Sequence, residues 1–137
     1  MTDAAATSLP PPLVVAASLA ALEGLLVLGY GVLEAVNLHA DRAAMGITTA
    51  VFFGLLGFAL VSCAWLVTRG RPGARAPIIV VQLMLLGLAW NLRGGSTTWV
   101  AVGVAVAAAL VLAGLLHPAS IAALTDGDAD RAGDHAP

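Results

Sequence analysis

The stretch LVVAASLAALEGLLVLGYGVLEAVN, Leu13 to Asn37, decides the fold. It is apolar almost throughout, and Glu23 and Glu34 are its only charged residues. A bilayer core about 30 Å thick is crossed by about 20 apolar residues in a helix, so this run is long enough to span. It is entered through Pro10-Pro11-Pro12, which suits a helix start. It is also longer than the apolar region of a secretory signal, about 7–15 residues, and no basic residue precedes it. The expectation is a retained membrane helix.

Three further runs follow, at about 44–68, 77–92 and 98–116. Backbone groups in lipid must find their partners inside the protein, which favours helices when no barrel-like alternation is present. The expected fold is all-α: an integral membrane bundle of four transmembrane helices with both termini cytoplasmic. Residues 1–12 form an N-terminal cytoplasmic segment and 13–117 the transmembrane domain. Residues 118–137 form a cytoplasmic tail. The tail is small and acidic (Asp126, Asp128, Asp130, Asp134) and is expected to be largely disordered.

Composition agrees. Of 137 residues, 60% are hydrophobic and 10% charged, with a mean hydropathy of +0.96. A soluble domain is nearer about 45–50% apolar and about 25% charged, so a water-soluble enzyme is excluded. A net charge of −2 without a basic stripe gives nucleic acid nothing to bind. The single cysteine, Cys63, excludes an internal disulfide and any multi-cysteine metal or iron–sulfur site. His39, His117 and His135 fall at different depths, so no haem pair forms. No catalytic or phosphate-binding motif is present, and no enzyme activity, metal or cofactor is expected.

The connections 38–43, 69–76 and 93–97 are short, so neighbouring helices run antiparallel. Arg69, Arg71 and Arg75 share the middle connection, which the positive-inside rule makes cytoplasmic; Arg131 agrees. These three arginines are also candidates for anionic lipid headgroup contact, at about 1 kcal/mol each. Trp65, Trp90 and Trp99 lie near span ends, as interfacial aromatics do. A Ser or Thr before Trp99 is expected to cap the fourth helix.

Glu23 lies near the middle of the first span, where an ionisable group costs about 2.5–3.5 kcal/mol on insertion scales. It should therefore face protein or water. Tyr30, Glu34 and Asn37 follow at seven, eleven and fourteen residues, within about 40° of it on the helical wheel. In the third span Gln82 and Arg93 are also eleven residues apart, and spans one and three run the same way. That register predicts a mid-membrane Glu23–Gln82 hydrogen bond and an outer Glu34–Arg93 ion pair. Three uses of this polar face stay open: packing glue, a proton or substrate site, or a contact with another membrane protein. Small residues at four-residue spacing, Ala16/Ala20/Gly24, Gly46/Ala50/Gly54 and Ala101/Ala105/Ala109, mark close-packing faces within the chain or between copies.

Glu23, the run Arg69-Gly70-Arg71-Pro72-Gly73-Ala74-Arg75-Ala76-Pro77, the pair Gln82-Leu83 and the ending Leu115-Leu116-His117-Pro118 carry a resemblance. From Glu23 to Leu124 the chain resembles a broad group of small four-span actinobacterial membrane proteins without assigned function. That resemblance implies an architecture and an inner-membrane location, and no activity. A membrane-embedded Glu in the first of four short spans also resembles the small multidrug resistance transporters, which would make Glu23 a proton-coupling residue. Trp90 lies too near a helix end to reproduce that family's aromatic cage. The expected role is a non-catalytic accessory or interaction protein, partnered by the lipid bilayer and by a larger membrane protein or a second copy. The alternative is a proton-coupled small-molecule transporter using Glu23.

Overall fold

The computed structural model describes residues 8–135. Five α-helices follow in order, α1 (Pro11–Val36), α2 (Ala43–Thr68), α3 (Arg75–Asn91), α4 (Thr98–Leu116) and α5 (Pro118–Asp134). Among the described residues there is no strand. Single 3-10 turns at Ala40–Arg42, Pro72–Ala74 and Gly95–Thr97 lead into α2, α3 and α4. With those turns included, the first four helices are each long and apolar enough to cross a membrane. Their bounds lie within a few residues of the spans read from sequence.

Local sequence explains the helix ends. Pro11 and Pro12 occupy the first turn of α1, where a missing N–H costs nothing. α2 ends in a Schellman turn: Gly70 takes a left-handed φ of 72°, Arg71 N–H reaches Leu66 O at 3.0 Å, and Gly70 N–H reaches Val67 O at 3.0 Å. α3 starts at Arg75, so Pro77 again falls in a first turn. Thr97 and Thr98 do not cap α4 in the expected way. Their hydroxyls donate back to carbonyls of Leu92, Gly94 and Gly95, which ties off the end of α3 and the intervening turn.

The antiparallel hairpins α1–α2 and α3–α4 make up the bundle. α1 packs chiefly on α2 and next on α4, and α3 chiefly on α4, so α1 and α3 lie diagonally and run parallel. The α1–α2 seam is made by glycine. A Cβ on Gly57 would stand 2.5 Å from Leu28 N and 2.6 Å from Gly24 O; one on Gly31 would stand 2.8 Å from Gly54 N. Gly114 brings α4 equally close to Pro12 and Ala16 of α1. On α4 the buried positions are Ala101, Ala108, Val111 and Leu115, while Ala109 is exposed. The packing face thus runs through Ala101, Ala108 and Leu115 at seven-residue spacing rather than along the Ala101/Ala105/Ala109 stripe.

The end holding the α2–α3 turn is called the base, and the end holding the other two turns the rim. The apolar core occupies the base half: Leu13, Ala16 and Ala20 meet Leu60, Ala64, Val67, Ile78, Val111 and Leu115. Toward the rim the buried positions are Gly31, Ala89 and Ala101. Many large apolar side chains elsewhere are exposed, including Leu26, Phe52, Leu55, Phe58 and Met84. A lipid solvent would cover them.

One difference from the sequence reading is large. The segment expected to be a disordered tail forms α5. His117 is extended and its Nδ1 accepts from Ala119 N–H at 3.2 Å, so His117 caps the helix and Pro118 opens it. Leu124 joins the core, and buried Ser120 donates to Gly114 O at 2.6 Å. Gly127 lies against Gly70 O. Four acidic residues on small-residue stock hid one short apolar face that docks under the base.

Candidate functional site

The chemistry-bearing residues fall at three levels. In the middle, Gln82 Nε2 donates to Glu23 Oε2 at 2.5 Å. Gln82 follows Ile78 by one turn on the buried stripe of α3, and its side chain is 0% exposed. Glu23 is half-buried beside Gly24, where α1 is pressed onto Val61 and Gly57 of α2. The hydrogen bond therefore links the diagonal helices, which otherwise touch little. This is the contact expected from the eleven-residue register. Gln82 Oε1 is buried and has no hydrogen-bond partner. Such an orphan acceptor costs about 1–3 kcal/mol.

At the rim the expectation fails. Glu34 and Arg93 form no ion pair, and they line different clefts. A cleft of about 600 Å³ at the α1–α2 turn is lined by Tyr30, Glu34, Asn37, His39, Asp41, Arg42 and Thr49, among others. Arg93 lines a cleft of about 330 Å³ between α3 and α4, with Trp90, Thr98 and Ala101. α3 ends at Asn91, so Arg93 has left the helical phase that the sequence argument assumed. Its guanidinium lies instead 3.1 Å from the centre of the Trp90 ring, a cation–π contact. Tyr30 packs edge-on against Phe53 at 5.1 Å. Asn37 turns back to its own helix, donating from Nδ2 to Leu33 O at 2.8 Å. His39 is tethered by Nδ1 to Asn37 O at 2.7 Å. Of the polar stripe, only Glu23 makes a hydrogen bond to another helix.

At the base, Arg69 and Arg71 are exposed and Arg75 is partly covered. Arg69 lies 4.5 Å from the centre of the exposed Trp65 ring. Arg131 does what the sequence reading missed. Its Nη1 donates to Gly70 O at 2.7 Å and its Nη2 to Arg69 O at 3.0 Å. A cation at the carbonyl end of α2 is favoured by the helix dipole as well as by the two hydrogen bonds. The signals for this docking were present in sequence: His117-Pro118 as a helix start, then Ser120, Leu124 and Arg131 at four- and seven-residue steps. A cleft beside it is lined by Ser8, Thr68, Asp126, Asp130 and others.

Among the described residues, no group of three or more His, Cys, Asp or Glu side chains is placed to hold a metal ion. No protein-family model matches the chain, and neither a curated protein nor a solved structure matches it.

Proposed function

We propose that this chain is a non-catalytic interaction protein of the cytoplasmic membrane, acting as an accessory or assembly partner of another membrane protein or as a homo-oligomer. The observation that carries this reading is the unequal covering of the polar stripe on α1. Its inner member, Glu23, is held by Gln82 at the head of a packed apolar core. Its outer members, Tyr30 and Glu34, face a cleft that no other span of the chain fills. Intramembrane and interfacial polar groups are stabilised by a second helix, so this is where a partner would add most. The base faces the cytoplasm in this reading, because it gathers Arg69, Arg71, Arg75 and Arg131, against Arg42 and Arg93 at the rim. Arg69, Arg71 and Arg75 then reach anionic headgroups.

The test is mild extraction from the native membrane, followed by mass determination of the intact assembly. A stoichiometric larger partner, or a defined homo-oligomer, supports the proposal. A lone monomer removes it and makes proton-coupled transport through Glu23 the leading reading. Loss of substrate movement in a folded Glu23→Gln variant would then be the decisive observation.

A further inference from the structure

We propose that Glu23 and Gln82 form a proton-binding site, in which Glu23 is a neutral carboxylic acid paired head-to-head with the Gln82 amide. Gln82 is fully buried, its Nε2 donates to Glu23, and its Oε1 has no donor. Glu23 is the polar side chain that reaches it, and a carboxylate has only acceptor oxygens. A carboxylic acid has one O–H. That O–H donates to Gln82 Oε1 while the acid's carbonyl oxygen accepts from Gln82 Nε2–H. Both fork-shaped groups then close a ring with two hydrogen bonds, and Gln82 Oε1 has its donor. The terminal side-chain torsions of Glu and Gln are broad, so the two groups can turn to face each other.

The surroundings favour the neutral form. The packing of Gly24 on Val61 and of Ala16 on Gly114 sets the level of Glu23 against about 58–62 of α2 and 105–109 of α4. Those stretches, FALVS and AVAAA, carry no ionisable side chain. On α1 itself Glu34 is eleven residues away, about 16 Å along the axis. On α3 the charged residue is Arg75, seven residues from Gln82 and about 10 Å along the axis, so no cation is at hand to hold a carboxylate. The proton is a structural ligand here: it completes the one polar link between the two diagonal helices. The inference goes beyond the interaction reading and holds whether or not a partner binds.

The chain has only two glutamates, Glu23 and Glu34, which makes the test direct. The full-length protein is labelled with carbon-13 at the glutamate carboxyl and reconstituted in lipid. Its carboxyl-carbon resonances are followed from acid to neutral pH, and Glu34→Gln identifies which signal is which. The expected result is a Glu23 signal that keeps its acid position at neutral pH. A Glu23 signal at the carboxylate position at neutral pH would overturn the proposal. The measurement needs no change at Glu23 or Gln82, so the pair is observed as it stands.

Discussion

Gly57→Ala is the sharpest test of how the two halves of the first hairpin are held. The added Cβ would sit 2.5 Å from Leu28 N, 2.6 Å from Gly24 O and 2.9 Å from Leu28 Cα. All three are backbone atoms of α1, so no rotamer change relieves the clash. Non-bonded heavy atoms rest near about 3.5–4.0 Å, so α1 and α2 must part by about 1 Å at this point. A gap of that size forfeits about a quarter to a half of each dispersion contact along the seam. Overpacking of this kind costs about 1–3 kcal/mol, with steric relief and lost contact both included. Each 1.4 kcal/mol is about tenfold in an equilibrium constant, so the folded-to-unfolded ratio should fall by about 5- to 150-fold. The assay is equilibrium unfolding in mixed detergent micelles, with Gly87→Ala as control. A Cβ on Gly87 meets nothing within 4 Å, so that variant should be at least as stable as the wild type. If Gly57→Ala unfolds with the wild type, the hairpin is not held by this seam and the packing argument fails.

Other expectations concern the polar contacts and the orientation. Glu23→Leu and Gln82→Leu should each lower stability by about 1–3 kcal/mol, while the double variant recovers most of the loss, because replacing both partners of a buried bond with apolar groups is nearly neutral. An additive double variant would show that the two side chains are not coupled. Arg131→Ala frees the carbonyls of Arg69 and Gly70, so the amides of α5 should exchange with solvent faster while those of α1–α4 do not change. Hydrogen exchange by mass spectrometry reads this directly, and equal protection of α5 in both forms would show that Arg131 is not what holds it. In a Cys63→Ala background, an impermeant thiol reagent on intact cells should label Ser96→Cys, and Arg71→Cys only after the membrane is opened. The reverse pattern would invert the proposed orientation.

Much of this was legible in the chain because lipid leaves few options. Long apolar runs between short polar links fix span number and antiparallel order, and α1 to α4 lie where hydropathy places them. The Glu23–Gln82 contact was legible for a similar reason: both residues sit well inside helices whose direction the links determine. The Glu34–Arg93 pair was not, because the same arithmetic was carried past Leu92, where α3 has already ended. The α4 face was misjudged because alanine stripes occur at several phases in so alanine-rich a helix; close approach at Gly114 selects one of them. α5 was hidden because its anchoring is sparse. Leu124, Ser120 and Arg131 hold seventeen residues, and mean composition is blind to three well-placed side chains.

The uneven distribution of the apolar core has a mechanical consequence. Cohesion between the two hairpins is concentrated at the base, where Leu13, Leu60, Ile78 and Leu115 interlock. Toward the rim each hairpin holds itself, through Gly31 against Gly54 and through Ala89 beside Ala101. The bundle is therefore packed more densely at the base than at the rim, with Glu23 and Gln82 at the boundary. A change in acyl-chain crowding confined to the rim leaflet would act on the spacing of the hairpins, while the same change in the base leaflet would meet a packed core.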